Sequence, residues 1–358
     1  MEKSLYFEAV QKYFPKLVIS VVEKLNEKNQ KTLPYLYKDL LTSSYSADGR
    51  WASIIASYTR VAADVVALDS ELPLKSRDSI EKVSGDIPKM GMKLYLTEKQ
   101  MKDIDAMIAL GLPEQEILRK IFADTTKVIA GVQERIEDIF QSELSTGIGL
   151  AGESNGLGVR VDMGYATDHK FGVSKVWSAA DATPISDIQK VFDKADDDGN
   201  IITDMWVDDT WLRAFYANKE AREQYAFIMN FVGQNVPNLN LEQAQTVTAA
   251  KWGVNLHRVN RRIKTESNGI RKNHSAWANG VCAFTCDANI GKLVWTTCAE
   301  ATRPVAGVSY QTAEGFILVS KYSTNDPLRE FTSSQAMVIP VLDNVDRIYI
   351  QDSTTVQE

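Results

Sequence analysis

The chain has 358 residues, which predicts two subdomains or one large core with extensions. Its 44% apolar and 24% charged residues are typical of a soluble globular protein, and the net charge of −7 argues against a surface built to bind duplex nucleic acid. Because it shows no transmembrane-length apolar run, no signal-peptide pattern and only three cysteines, we expect a cytoplasmically folded protein without membrane contact.

The first hundred residues divide into a helical and an extended part. Residues 1–64 are mostly polar, and a short apolar stripe at helical spacing, from Leu17 to Leu25, suits an amphipathic arm laid on another surface. Residues 65–100 are dense in charge and contain short alternating runs such as Met90–Leu96. This second segment is predicted to form a long, exposed, extended hairpin with little core of its own.

The clearest predicted element is a long helix that begins at Pro113. Apolar residues recur at spacings of three and four as far as Leu144, which predicts about eight turns and roughly 45 Å of helix. The stripe has a period of 3.6 and stands alone in the sequence. This favours one amphipathic helix over residues 113–145 lying against a sheet, and not a strand of a coiled coil.

Strands and helices are mixed beyond Gly158. The predicted strands are Val159–Met163, Lys175–Ser178, Ile201–Val207, Gly315–Lys321, Gln335–Val341 and Arg347–Gln351, and the predicted helices are Ser186–Lys194 and Thr210–Tyr225. Helices and strands are segregated and do not alternate strictly, which predicts an α+β fold.

The stretch from Lys194 to Met205, KADDDGNIITDM, imitates a calcium-binding EF-hand loop. Asp196, Asp198 and Gly199 fit the third, fifth and sixth positions of such a loop. However, Lys194 and Met205 stand where the first and the last carboxylate ligands are needed. We therefore interpret the stretch as a solvated turn after a helix and predict no metal site.

Two catalytic motifs overlap in the glycine-rich residues Gly147–Gly158. GIGLAG fits the dinucleotide fingerprint, and GESNG, centred on Ser154, fits the nucleophile elbow. Both motifs require a strand before the loop and a helix after it, whereas this loop follows a predicted helix and precedes a predicted strand. The loop is interpreted as a helix-to-strand connection, with no catalytic residue and no cofactor.

A four-ligand zinc site from Cys282, Cys286, Cys298 and His274 is the other metal-binding hypothesis. The C-x3-C spacing alternates like a strand, so buried thiols are the favoured interpretation and no metal is predicted. Only three histidines occur in the chain, which limits histidine catalysis without excluding carboxylate chemistry.

The segment Lys251–Lys272 is locally basic. Seven Lys or Arg residues accompany a single acid, Glu266, and Arg258, Arg261 and Arg262 are predicted to share one helical face. Phosphate binding is one interpretation of this patch. In a chain of net negative charge, salt bridges to an acidic neighbouring subunit are favoured.

Several motifs, taken in order, resemble the major capsid proteins of lambda-type tailed bacteriophages. They follow the predicted long helix and are LSTG at Leu144–Gly147, VDMG at Val161–Gly164, Val176–Trp177, TPISDI at Thr183–Ile188, the strand-to-helix stretch Ile201–Thr210, and NDPLREF at Asn325–Phe331 before the apolar strand Met337–Val341. The resemblance covers roughly Val65 to Asp352.

The resemblance implies the tailed-phage major capsid fold. Its expected parts are an N-terminal arm (1–64), an E-loop hairpin (65–100), a peripheral domain (101–188) with the spine helix (about 113–145), an axial domain (189–314) and C-terminal strands returning to the peripheral domain (315–358).

The function implied is a non-enzymatic head protein that self-assembles into pentamers and hexamers and forms an icosahedral shell around packaged double-stranded DNA. Portal, scaffold and decoration proteins are the further partners expected, with assembly in the host bacterial cytoplasm and the virion as final location. The alternatives are another virion protein such as a tail-tube subunit, or an enzyme using the loop Gly147–Gly158. Candidate subunit-interface residues in the hairpin are Glu71, Lys75, Arg77, Asp78, Asp86, Lys89 and Lys93.

Overall fold

The structure is a computed structural model and describes residues 1–26, 35–56, 80–154, 157–230, 236–267 and 269–357. Its helices are α1 (Phe7–Asn26), α2 (Leu36–Leu40), α3 (Glu98–Ala109), α4 (Glu114–Ile121), α5 (Ala123–Thr146), α6 (Pro184–Asp197), α7 (Asp209–Ala217), α8 (Lys219–Ile228), α9 (Leu241–Trp252) and α10 (Ala299–Thr302).

The strands are β1 (Leu41–Tyr45), β2 (Arg50–Ala56), β3 (Ile80–Asp86), β4 (Lys89–Leu96), β5 (Ile148–Ser154), β6 (Leu157–Asp162), β7 (Lys170–Val173), β8 (Asp204–Val207), β9 (Asn255–Arg258), β10 (Ile263–Ser267), β11 (Ile270–His274), β12 (Val281–Thr285), β13 (Gly291–Thr296), β14 (Ser309–Ala313), β15 (Ile317–Thr324), β16 (Arg329–Leu342) and β17 (Ile348–Val356). The predicted α+β class is confirmed. None of the described helices has the length and apolar content needed to cross a membrane.

The chain divides into two compact units. The first comprises Met1–Trp51, Gly85–Asp138 and Lys292–Pro340, and the second comprises Ala52–Ser84, Ile139–Gly291 and Val341–Glu358. The boundaries fall within β2, β3, α5, β13 and β16, so each of these elements contributes residues to both units.

The first unit is built on a six-stranded sheet. Its strands follow the order β1-β13-β16-β15-β14, and β4 pairs antiparallel with β16. One face of this sheet is covered by the first half of α5, where the Ser334 hydroxyl donates to the Val128 carbonyl at 2.6 Å. Gly131 of α5 lies against the Met92 sulfur, and a Cβ at this position would come within 2.2 Å of it. A side chain at position 131 would therefore displace the Met92 side chain from this contact between helix and sheet.

The predicted spine helix is present, but it is divided at Phe122 into α4 and α5. Phe122 leaves the helical region, with φ −106° and ψ 10°, and its ring stacks on Phe14 with centroids 6.1 Å apart. The buried Lys321 ammonium donates to the Ile121 carbonyl at 3.0 Å, so this carbonyl has a hydrogen-bond partner at the end of α4. A lysine two hundred positions away thus stabilises a break that helical periodicity does not predict.

The second unit has a five-stranded sheet in the order β7-β17-β12-β8-β9. Helices α6, α7 and α9 pack with this sheet around a large aromatic core. Trp211 is fully buried, and its ring lies 5.1 Å from Trp177 and 5.0 Å from Phe215, measured between centroids. Asp208 caps α7 by accepting from the backbone amides of Thr210 and Trp211.

Two sequence predictions in this unit are wrong. The predicted strand Lys175–Ser178 is a turn, because the buried Asp187 carboxylate accepts from the backbone and hydroxyl of Ser174 and from the Trp177 indole and holds the segment away from the sheet. The predicted helix Thr210–Tyr225 is two helices. Asn218 is extended, with ψ 141°, and its side chain both caps α8 and donates to the Ala182 carbonyl.

The stretch that imitates a calcium loop is a helix end with an internal hydrogen-bond network. Helix α6 ends at Asp197, and Gly199 has a φ of +75°, as the exit turn requires. Asp198 is not free for a cation, because it pairs with Lys194 at 2.6 Å and accepts from the Tyr349 hydroxyl at 2.9 Å. The predicted turn is confirmed, and its last acid has a structural role.

Glu143 is an unusual buried acid in the second half of α5. Its side chain is fully buried, and neither carboxyl oxygen has a hydrogen-bond partner among the described residues. Gly149 of β5 lies directly against it, since a Cβ there would come within 2.4 Å of Oε1. Burial raises the pKa of Glu143 well above its ordinary value of 4.5, so the neutral acid is favoured in the native state.

We expect Glu143→Gln to abolish the decrease in the free energy of unfolding that ionisation of Glu143 causes at high pH. Because the pKa of Glu143 is raised in the native state, its contribution to the free energy of unfolding is fully present below the unfolded pKa. The free energy of unfolding then decreases as pH rises toward the native pKa, by about 1.4 kcal/mol for each pH unit in that window. Melting temperatures of the two proteins should therefore diverge in favour of the variant as pH rises above about 5, the range in which the unfolded acid is ionised and the native acid stays neutral. The exposed Glu116→Gln serves as control, and parallel curves for the wild type and Glu143→Gln would contradict the prediction.

Candidate assembly interface

An open groove of about 420 Å³ lies on the first unit, at the sheet face that α5 does not cover. Lys93, Ser333, Ser320 and Tyr310 are direct cross-strand partners on β4, β16, β15 and β14, so their side chains share this face. The groove also contains Lys89 and Glu300. We call this feature the sheet groove.

Two predicted interface lysines line the sheet groove. Lys89 and Lys93 lie four positions apart on β4, which places both on one face of the strand. The Lys89 ammonium contacts the Glu300 carboxylate at 2.7 Å, and this hydrogen bond lowers the pKa of Glu300. The Lys93 ammonium lies 5.7 Å from the centre of the Phe331 ring. The groove therefore offers a cation beside an aromatic surface.

Aromatic rings extend this surface along the sheet. Phe331 stacks on Tyr322 with centroids 5.3 Å apart and lies 5.7 Å from Tyr95. The Arg329 guanidinium covers the Tyr95 ring at 4.2 Å. Tyr95 itself is 43% exposed, which leaves a large ring available to a partner. Sequence reasoning missed these rings, although Tyr95 lies within the alternating run Met90–Leu96.

The other predicted interface residues are distributed differently. Asp86, at the end of β3, lies 3.5 Å from the Arg50 guanidinium of β2, and both side chains are largely exposed. Strands β2 and β3 pair with each other as a two-stranded ribbon. The predicted residues Glu71, Lys75, Arg77 and Asp78 lie outside the described residues.

In its described residues, 147–154 and 157–158, the glycine-rich loop lacks the geometry of either catalytic motif. Gly147, with a φ of +77°, ends α5, and its amide donates to the Glu143 carbonyl at 2.7 Å. Strands β5 and β6 follow and pair antiparallel. The described residues of the motif thus lie on paired strands after a helix, and among them no helix follows the loop as either motif requires.

The predicted buried thiols are confirmed. Cys282, Cys286 and Cys298 are free and buried, and burial raises the pKa of Cys286 to about 12. His169 is also buried and stacks on Tyr349, with its Nε2 3.3 Å from Asp198. In the described part of the chain, no group of three or more His, Cys, Asp or Glu side chains could hold a metal ion.

The basic stretch Lys251–Lys272 does not form the predicted helical face. Helix α9 ends at Trp252, because Gly253 is left-handed with a φ of +72°, and the remainder forms β9, β10 and β11. Arg258 binds Asp209 through two hydrogen bonds of 2.6 and 3.1 Å. Arg258, one of the predicted phosphate-binding residues, is therefore paired with an acid of its own chain.

Comparison with known proteins shows the family to which this chain belongs. Residues 55–350 match the family model of phage major capsid protein E. The chain belongs to this family. The matched residues include Lys89, Lys93 and Glu300 of the sheet groove and the β10–β11 hairpin. The match makes the protein a shell-forming major capsid protein of a tailed phage and a structural component of the virion.

Solved structures show the same fold. The putative capsid protein of a prophage from E. coli CFT073 is 14% identical, with a TM-score of 0.59 over 94% of this chain and 98% of that one. A phage-related protein from Bordetella bronchiseptica RB50 is 13% identical, with a TM-score of 0.51 over 94% of this chain and 96% of that one. The predicted tailed-phage capsid fold is confirmed. A search of curated proteins found no significant match.

Proposed function

We propose that this capsid protein self-assembles into pentamers and hexamers, which form an icosahedral shell around double-stranded phage DNA. The observation that carries the proposal is the family match over residues 55–350. A curved lattice of soluble subunits needs many modest contacts per copy, and their affinities add up over several interfaces.

The partners of the shell follow from the same proposal. Other copies of the chain are the main partner, with portal, scaffold and decoration proteins completing the head, and assembly takes place in the host bacterial cytoplasm. The chain works without catalysis, cofactor or metal. Support for this comes from the glycine-rich loop, which lies in a hairpin where neither catalytic motif can work.

The sheet groove is the proposed receiving surface for a neighbouring copy. Its exposed lysine and the exposed Tyr95 ring beside it suit a charged, extended segment. The interface residues predicted in the chain, Glu71, Lys75, Arg77, Asp78, Asp86, Lys89 and Lys93, include two groove lysines. The five-part division into arm, E-loop, peripheral domain, axial domain and returning strands stays a prediction.

Lys93→Glu is expected to reduce assembly by about tenfold at fixed protein concentration. The reversed charge repels the segment of the neighbouring copy that the lysine attracts, and it does so in every copy. The monomer should unfold within about 0.5 kcal/mol of the wild type, since Lys93 is exposed. Sedimentation velocity measures the assembled fraction. Lys99→Glu, an exposed lysine of α3, is the matched control. Equal assembly of the wild type and Lys93→Glu would contradict the proposal that the groove is part of the subunit interface.

A further inference from the structure

The β10–β11 hairpin of the second unit lacks a core of its own. Among the described strands, β10 and β11 pair only with each other. Ile263 at the base is buried, whereas Ile270 near the tip is 64% exposed. A two-stranded hairpin is marginally stable in water unless one of its faces is covered. Something other than the described part of this chain is therefore needed to cover the outer half.

The two faces of this hairpin differ in charge. The register pairs Thr265 with Lys272 and Ser267 with Ile270, so Lys272 and Ile270 share the face that begins at the buried Ile263. The opposite face carries Lys264 together with Glu266 and Arg271, which form an ion pair at 2.7 Å. We call the face of Lys272 and Ile270 the inner face. It combines an apolar side chain with a cation and contains no acid.

Lys272 has no counter-ion among the residues that the structure describes. It is exposed, and the described residues offer it no ion pair. Phosphate of nucleic acid is one chemistry that attracts a lysine. However, duplex binding needs several clustered cations, and it gives no role to an exposed isoleucine beside one lysine. An acidic protein surface with an apolar border fits the inner face better.

The same unit carries an exposed acidic surface at the end of α6. Asp193, Asp196 and Asp197 are exposed there, and among the described residues none of them has an ion pair. Acids in the last turn of a helix are unfavourable, because they lie at the negative end of the helix dipole. The lysine of that turn, Lys194, is already held by Asp168 and Asp198. A cation from another molecule would offset this repulsion.

We infer that the inner face of the hairpin docks on the acidic end of α6 in a neighbouring copy, with Lys272 facing Asp196 and Asp197. The contact joins two different surfaces of one chain, so it is heterologous, and repeating it generates a closed ring when the rotation between copies closes. Rings of five and six copies are what the proposed function requires, and the inference rests on that proposal.

Charge reversal with a matched control tests the contact. Lys272→Glu should lower the assembled fraction about tenfold in sedimentation velocity, because like charges across an interface are strongly unfavourable. Lys264→Glu makes the same change on the opposite face of the same hairpin and should assemble like the wild type. Adding Asp196→Lys and Asp197→Lys to Lys272→Glu should restore assembly. Unchanged melting temperatures establish that each variant is folded.

The outcomes separate this inference from the proposed function. If the wild type assembles and Lys272→Glu assembles equally well, the inferred contact is wrong while the shell function stands. If Lys272→Glu fails and the α6 lysines do not restore it, α6 is not the acceptor and the inference is overturned. If Lys272→Glu and Lys264→Glu both assemble but package less DNA, the hairpin binds nucleic acid instead. If the wild type never assembles, both proposals fall.

Discussion

Replacing Glu330 with alanine is expected to lower the free energy of unfolding of the first unit by about 3–5 kcal/mol, because it leaves a buried ammonium group without its counter-ion. Glu330 and Lys321 have fully buried side chains and lie 3.8 Å apart. Burial raises the pKa of Glu330 and lowers that of Lys321, and each charge opposes the shift of the other. The pair is therefore stable only while both members are present.

Glu330 also fixes the N-terminus. Its carboxylate accepts from the Ser4 hydroxyl and, at 3.0 Å, from the Leu5 amide. Glu330→Ala should therefore speed hydrogen exchange both in β16 and at residues 2–6. Exchange followed by mass spectrometry along a urea series measures both effects.

A double replacement separates the charge effect from the anchoring effect. Lys321→Met with Glu330→Leu removes both buried charges and fills similar volume, a change that is often neutral for buried ion pairs. We expect most of the unfolding free energy to return while residues 2–6 stay fast to exchange. A Glu330→Ala protein within about 1 kcal/mol of the wild type would contradict the pair's structural role.

Trp211→Ala is expected to cost the second unit about 3–5 kcal/mol, because it opens a cavity between stacked rings. Trp211 is fully buried beside Trp177 and Phe215, with the Phe215 ring tilted only 12° from its own plane. Urea unfolding followed by far-ultraviolet circular dichroism measures the loss.

Trp211→Phe is the matched control for the cavity. The Trp211 indole nitrogen has no hydrogen-bond partner among the described residues, so phenylalanine removes a buried donor while it keeps a ring in the stack. We expect less than half of the alanine loss. Similar losses for the two variants would show that ring packing is not what Trp211 contributes.

Elements with a strong local pattern could be predicted from the sequence. The apolar period of α5, the alternation of β4 and the helix of α6 all appear near their predicted positions, because amphipathic periodicity reflects burial on one face. The order of motifs from Leu144 to Val341 predicted the capsid family, which the family match confirms.

The breaks in these elements depend on distant residues. The division at Phe122 involves Lys321, and the turn at Lys175 is held by Asp187. Asn218 ends α7 because its amide reaches Ala182. None of these partners can be read from a local window, since tertiary hydrogen bonds override propensity.

The sheet groove shows the same limit. Lys89 and Lys93 were predicted as interface residues from charge density, but the rings beside them come from β15 and β16 and meet β4 only in the folded sheet. Most basic side chains of Lys251–Lys272 are exposed, and the predicted helical face is wrong because Gly253 ends α9 before the arginines begin.

Electron microscopy of the purified wild-type protein, expressed alone and with scaffold and protease supplied, tests the central claim most directly. We predict closed shells or tubes whose surface shows capsomers, with five and six copies around the symmetry axes of the shells. A population of dispersed monomers under both conditions would contradict it.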